Sequence, residues 1–159
     1  MPRKKLRVAA CQIRFGEDIE ENADRIVAEL KACAKQKVDV VAFQEGALFG
    51  YTNYPAFWEN LDQDRLVKAE QKIIRTCKRA GIATVVGTSH LENGVRYNSL
   101  LVVDRDGTVQ GRYGKIHLAG EKWCAPAQHL PIYKICGVAC CFIICHDVRY
   151  PELVRLPAA

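Results

Sequence analysis

Three side chains in this sequence could together support attack by a thiolate on a carbon atom. Each follows an apolar run that predicts a buried strand: Glu45 after residues 38–43, Lys115 after residues 108–113 and Cys145 after residues 137–144. Because ligands of open α/β folds bind at the sheet edge where strands end, we expect these side chains to converge there. The carboxylate could take the thiol proton, the thiolate attack a carbon, and the lysine hold the developing oxyanion.

The sequence around Cys145 predicts a strand, a tight turn and a helix. The apolar run before it has the length of a buried strand, and Pro151 and Glu152 are typical of the first helical positions. A cysteine on such a turn lies near unpaired backbone N–H groups, which favours the thiolate. The alternative interpretation is a core cysteine, because free cysteine is usually buried.

Three ordered motifs in the chain resemble those of the nitrilase, or carbon–nitrogen hydrolase, superfamily. The first is Glu45 followed by Gly50 and Tyr51, with Gln44 where the family has proline. The second, Tyr-x-Lys-x-His-Leu, is matched by residues 113–118. The third, Cys-x-Asp-x-Arg-Phe-Pro-Glu, is matched by residues 145–152, with tyrosine in place of phenylalanine. The resemblance extends over residues 6–156.

The resemblance implies an α/β fold, a nitrilase-like αββα sandwich, with a Glu-Lys-Cys triad. Glu45 would be the general base, Lys115 the oxyanion stabiliser together with a backbone N–H at the turn, and Cys145 the nucleophile that forms a thioester. Glu121 would correspond to a second family glutamate that supports the lysine. The implied function is hydrolysis of a non-peptide carbon–nitrogen bond in a small amide or carbamoyl substrate, with no cofactor and no metal.

Other residues near the motifs are predicted to bind or support the substrate: Tyr51, His146 and Arg149. Cys145-His146-Asp147 resembles the amidase and carbamoyl-hydrolase branches rather than the Cys-Trp-Glu of nitrile-cleaving members. Arg149 could bind a substrate carboxylate bidentately or pair with Glu152. The aromatic loop at residues 46–60 could form a pocket wall or be packed only by its own side chains.

The length of the chain, 159 residues, predicts one carbon–nitrogen hydrolase domain, residues 1–159. Single domains built on two sheets commonly need about 200–250 residues, so we expect the sandwich to be truncated after the nucleophile turn, with the carboxy-terminal portion missing. Such a form would expose apolar surface and form a homo-oligomer. The alternative function is therefore a catalytically inactive, truncated nitrilase-fold binding or assembly module.

Charge and cysteine content favour a cytoplasmic enzyme. The net charge is +5, and the basic residues Arg3, Lys4, Lys5 and Arg7 form a run without interleaved aromatic residues, so no nucleic-acid partner is predicted. No segment has the length of a membrane span. The eight cysteines lack a Cys-x-x-Cys pair, which disfavours zinc. Cys11, Cys33 and Cys77 are at apolar strand or helix positions, which indicates buried thiols in a reducing compartment. A redox-active thiol protein is a third hypothesis.

Overall fold

The computed structural model describes residues 5–52 and 54–159. Arg3 and Lys4 of the basic run, and Asn53 of the aromatic loop, lie outside the described residues. The strands are β1 (Val8–Cys11), β2 (Val40–Phe43), β3 (Ala83–Glu92), β4 (Val95–Val103), β5 (Val109–Gly114), β6 (Tyr133–Ile135) and β7 (Val138–Cys140). The helices are α1 (Ile19–Lys35), α2 (Pro55–Glu59), α3 (Gln63–Ala80) and α4 (Glu152–Ala158), with a 3₁₀ helix at Cys145–Arg149.

A five-stranded sheet in the order β1-β2-β3-β4-β5 forms the centre of the fold. β1, β2 and β3 are parallel, and the long helices α1 and α3 provide the crossovers that parallel neighbours require. β3, β4 and β5 are antiparallel neighbours, and Asn93 and Gly94 supply the positive φ angles of the β3–β4 turn. The predicted mixed-sheet α/β architecture is confirmed.

The two faces of this sheet are covered by different layers. Alternate strand residues such as Val41, Val86 and Leu101 pack beneath α1 and α3. The opposite residues, among them Val85 and Val102, pack against the small sheet of β6 and β7. The fold therefore has a helical layer, a five-stranded sheet and a second β layer, and the chain leaves that second layer directly toward Cys145.

Helix boundaries follow the capping residues in the sequence. The side chain of Asp18 accepts a hydrogen bond from the Glu21 N–H at the start of α1, and that of Asp62 accepts from Asp64 and Arg65 at the start of α3. Gly81 ends α3 in the left-handed conformation, with φ of 65°. Both long helices therefore begin at an aspartate side chain that accepts hydrogen bonds from the first turn.

Two local predictions were wrong. Of the strand expected over residues 137–144, only β7 is paired with another strand. Its partner β6 is three residues long, and residues 141–144 have no strand beside them in the described chain. The aromatic loop at residues 46–60 contains α2, which begins with Pro55 at a first-turn position. Among the described residues, no helix has both the length and the apolar character needed to cross a membrane.

Candidate active site

The ends of β2 and β5 bring Glu45, Lys115 and Glu121 into direct contact. Lys115 Nζ donates to Glu45 Oε1 at 2.9 Å and to Glu121 Oε1 at closer range. The lysine side chain is 1% exposed, and those of Glu45 and Glu121 are 17% and 2% exposed. A buried ammonium between two carboxylates is satisfied electrostatically, and its position is fixed by both of them.

The backbone of Glu45 rests directly on β3. A Cβ atom added at Gly87 would lie 2.2 Å from the Gln44 carbonyl oxygen and 2.7 Å from the Gly46 nitrogen, so the close approach requires glycine. The side chain of Gln44, which stands where the family has proline, anchors the same segment. Its Nε2 donates to the Ile13 carbonyl at 2.6 Å, and its Oε1 accepts from the Ile13 N–H at 3.2 Å.

Asn98 also orients Glu45, although the sequence did not identify it. Its Nδ2 donates at 2.7 Å to Glu45 Oε1, the oxygen that also accepts from Lys115. The backbone carbonyl of Asn98 accepts from the Lys115 N–H at 2.8 Å, which extends the ladder between β4 and β5 to the lysine. The only sequence signal was an uncharged polar residue at the start of an apolar strand.

The ion cluster sets the protonation of its members. Burial opposes the charge on Lys115, but hydrogen bonds to Glu121 and Glu45 outweigh it and raise the pKa of the lysine. Burial likewise acts to raise the pKa of Glu121, but Lys115, Tyr51 and nearby backbone N–H groups hold that pKa below its ordinary value. Lys115 is therefore a permanent cation at neutral pH.

Cys145 begins the 3₁₀ helix with an exposed side chain and a φ of 45°, a left-handed conformation that is uncommon for a residue with a Cβ. Burial, and then the negative charge of Glu45, raise the pKa of Cys145 despite the opposing charge of Lys115. A hydrogen bond between the thiol and Glu45 acts in the same direction. The expectation that the turn favours a thiolate was therefore wrong, because the nearest acceptor is a carboxylate. The raised pKa favours the thiol form of Cys145 beside the Glu45 carboxylate.

Tyr51 connects the aromatic loop to this cluster. Its hydroxyl donates to Glu121 Oε1 at 2.9 Å, and burial followed by that contact raises the pKa of the tyrosine. Tyr51, Glu121, Trp58 and Trp123 line a cavity of about 660 Å³. Trp58 and Trp123 stack with ring centroids 3.6 Å apart. Trp58 also packs edge-on against Phe49 and Phe57 of the same loop, so the aromatic residues of the loop pack together and also form a pocket wall.

His146 and Arg149 belong to the same 3₁₀ helix as Cys145. The half-buried His146 ring contacts the Tyr150 ring edge-on. The His117 ring stacks on the same tyrosine. Arg149 is exposed. Within the described chain it has no carboxylate at ion-pair distance, so the alternative pairing with Glu152 is not formed.

The other cysteines do not join this site as a metal centre. In residues 5–52 and 54–159, no group of three or more His, Cys, Asp or Glu side chains is placed to hold a metal ion. Cys33 and Cys77 are buried, and the Cys11 and Cys33 sulfur atoms are 3.9 Å apart. Burial raises the pKa of Cys77 to about 12, as expected for an unreactive core thiol.

The fold is that of the nitrilase-superfamily amidases. An amidase from Nesterenkonia sp. AN1 matches with a TM-score of 0.86 at 24% identity, over 95% of this chain and 61% of that one. That structure shows the result of Michael addition of acrylamide at its active-site cysteine. Residues 7–159 match the family model described as carbon-nitrogen hydrolase, and the chain belongs to that family.

Curated relatives include enzymes with different names. The chain is 31% identical over 139 residues to the glutamine-dependent NAD(+) synthetase of Acinetobacter baylyi, covering 82% of this chain and 25% of the relative. It is 24% identical over 166 residues to the omega-amidase NIT2 of Homo sapiens, covering 96% of this chain and 59% of the relative. The chain thus spans well under two thirds of the length of these relatives.

Proposed function

We propose that the protein hydrolyses the carbon–nitrogen bond of small amides through a thioester on Cys145. The observation that carries this proposal is the placement of the Lys115 ammonium between two carboxylates, one of which lies close enough to the exposed Cys145 thiol for its charge to raise the pKa of that thiol. A carboxylate that can act as a base, a thiol nucleophile and a fixed cation, grouped at one site, are the groups that acyl transfer requires.

The first half of the reaction transfers the acyl group to the enzyme. Glu45 takes the proton from Cys145 Sγ, and the thiolate attacks the amide carbon. The carbonyl oxygen becomes an oxyanion, stabilised by Lys115 Nζ and by a backbone N–H at the turn. Collapse of this intermediate breaks the carbon–nitrogen bond, while the proton on Glu45 passes to the leaving ammonia or amine.

The second half releases the acid. Glu45, again a carboxylate, takes a proton from water, and the hydroxide attacks the thioester carbon. Lys115 stabilises the second oxyanion, and the thiolate leaves and recovers the proton from Glu45. Glu121 does not exchange protons in this scheme. Its lowered pKa keeps it a carboxylate that holds Lys115 in place and charged.

The surroundings of the cluster support a substrate class. The aromatic cavity beside Tyr51 and Glu121 suits a small acyl group, and the exposed Arg149 near the nucleophile suits a carboxylate at its far end. Amidase names among the relatives support an amide rather than a nitrile. We therefore place carboxylate-bearing amides, such as monoamides of short dicarboxylic acids, ahead of neutral amides.

The proposal is tested by measuring ammonia release from two amides of equal length, one with a carboxylate and one without. We expect a dicarboxylic acid monoamide to be hydrolysed with a lower KM than a neutral amide of the same length. Arg149→Gln should raise the KM for the monoamide by about tenfold, the worth of one charge-assisted hydrogen bond, and leave the neutral amide unaffected. If no amide released ammonia, the proposal would fail and the binding or assembly module would take its place.

A further inference from the structure

Asp147 is a buried carboxylate that the proposed reaction does not use. Its side chain is fully buried and accepts three hydrogen bonds. The donors are the Tyr113 hydroxyl at 2.7 Å, the His117 backbone N–H at 2.7 Å and the Ile144 backbone N–H at 2.9 Å. Within the described residues no lysine, arginine or histidine side chain pairs with it, so these donors alone satisfy the carboxylate.

The three donors flank two of the proposed catalytic residues. Tyr113 and His117 stand two positions before and two positions after Lys115, and Ile144 directly precedes Cys145. The Asp147 carboxylate is therefore hydrogen-bonded on both sides of Lys115, within the segment 113–117, and to the residue directly before Cys145. The Asp147 N–H also donates to the Ile144 carbonyl at 3.0 Å, which closes the turn around Cys145.

Cys145 needs such a restraint because of its backbone conformation. A non-glycine residue with φ of 45° is held only where surrounding contacts over-determine it. The two bonds between Asp147 and Ile144 span this residue. Without them the turn could relax, and Sγ would leave its position beside Glu45.

We propose that Asp147 is a positioning residue that sets the place of Cys145 relative to Lys115. This inference rests on the proposed function. Burial, and then the hydrogen bond to Asp147, raise the pKa of Tyr113, so its hydroxyl remains a donor throughout the working pH range. The carboxylate contacts neither Lys115 nor Cys145 through their side chains, and it acts through the backbone on either side of them.

Asp147→Asn and Tyr113→Phe test the inference by separating kcat from KM. An asparagine NH₂ group cannot accept from the backbone donors, so the turn and the lysine segment should lose their common anchor. We expect kcat for a hydrolysed amide to fall about 100-fold in Asp147→Asn and about tenfold in Tyr113→Phe, with KM changed by less than about threefold. Rates are measured well below the unfolding midpoint and normalised to folded protein.

Glu70→Gln is the matched control. Glu70 is also a buried carboxylate that joins separate elements, through Arg112 and Thr88, but it belongs to α3 and none of its described hydrogen bonds goes to Glu45, Lys115 or Glu121. It should lower the unfolding midpoint without changing kcat. If Asp147→Asn and Tyr113→Phe behaved like Glu70→Gln, with stability lost and kcat kept, the positioning role would be overturned.

A second readout does not depend on turnover. Alkylation of Cys145 by iodoacetamide, followed by mass spectrometry of the peptide that contains it, reports the pKa of the thiol. In Asp147→Asn this pKa should fall toward that of an ordinary thiol, because Cys145 is no longer held against Glu45. An unchanged alkylation profile together with an unchanged kcat would remove the inference. Absence of amide hydrolysis by the unsubstituted protein would instead remove the proposed function, and the alkylation profile would still decide the role of Asp147.

Discussion

Cys145→Ala will abolish amide hydrolysis and leave the fold intact. The Cys145 side chain is exposed and belongs to neither apolar core, so its removal creates no cavity. If it is the nucleophile, its loss removes acyl transfer entirely, and residual binding and oxyanion stabilisation cannot replace it. We expect ammonia release to fall by at least about four orders of magnitude, with circular dichroism and the unfolding midpoint unchanged.

Cys141→Ala serves as the control for this substitution. Cys141 is a half-buried thiol four positions earlier on the same segment, and it makes no contact with Glu45 or Lys115. It should retain normal turnover. Near-normal hydrolysis by Cys145→Ala would contradict the mechanism, whatever the behaviour of the control.

Lys115→Met will have the second largest effect, because it damages both activity and stability. It removes the cation that we propose stabilises the oxyanion, and it leaves the buried Glu121 carboxylate without its ionic partner. Breaking a buried pair on one side typically costs about 3–5 kcal/mol in the free energy of unfolding. We expect loss of measurable hydrolysis together with a destabilisation of that order in urea unfolding at neutral pH.

The contribution of Glu121 to stability should change with pH in opposite directions in the unsubstituted chain and in Lys115→Met. With Lys115 present, the pKa of Glu121 is lowered, so its stabilising contribution is complete above the ordinary glutamate pKa and is lost as the pH falls through the lowered value. In Lys115→Met, burial without a cation raises this pKa, so stability is lost as the pH rises through the raised value. Unfolding measured at about pH 5 and about pH 7 should show the difference.

A double variant separates the two roles of the lysine. Lys115→Met combined with Glu121→Gln removes the unpaired carboxylate and should recover part of the stability at neutral pH. Turnover should stay absent, since the oxyanion still lacks its cation. If Lys115→Met were as stable as the unsubstituted chain at both pH values, or if it hydrolysed amides normally, the role given to the cluster would be wrong.

Local signals in the sequence predicted the elements that carry the site. Capping by Asp18 and Asp62, the apolar runs of β2 and β3, and the Asn93-Gly94 turn depend on neighbouring residues, so the sequence shows them directly. The motifs around Glu45, Lys115 and Cys145 also lie at strand ends. The length of the strand that contains β7 was overestimated, because residues 141–144 are as apolar as the residues of a buried strand. The paired length depends on the partner strand, which the local sequence does not show.

The contacts that tune the site could not be predicted, because they join distant parts of the chain. Asn98 reaches Glu45 across 53 positions, and Tyr113 reaches Asp147 across 34. The protonation of Cys145 depends on the balance between burial, Glu45 and Lys115, which only coordinates provide. The turn alone indicated a thiolate, whereas the neighbouring carboxylate favours the thiol.

The central claim is that Cys145 carries the acyl group and that Glu45 provides the base for its removal. The most direct measurement is p-nitrophenyl acetate treatment of Glu45→Gln, with mass spectrometry of the Cys145 peptide. Loss of the Glu45 charge lowers the pKa of Cys145 beside Lys115, so thiolate can form without this base, and p-nitrophenolate leaves without a proton. Acylation can therefore proceed, but water lacks its base and the thioester persists. The account predicts about one equivalent of acetyl on Cys145 and loss of amide hydrolysis. Glu45→Gln that hydrolyses amides at the unsubstituted rate, or that carries no acetyl on Cys145, would contradict it.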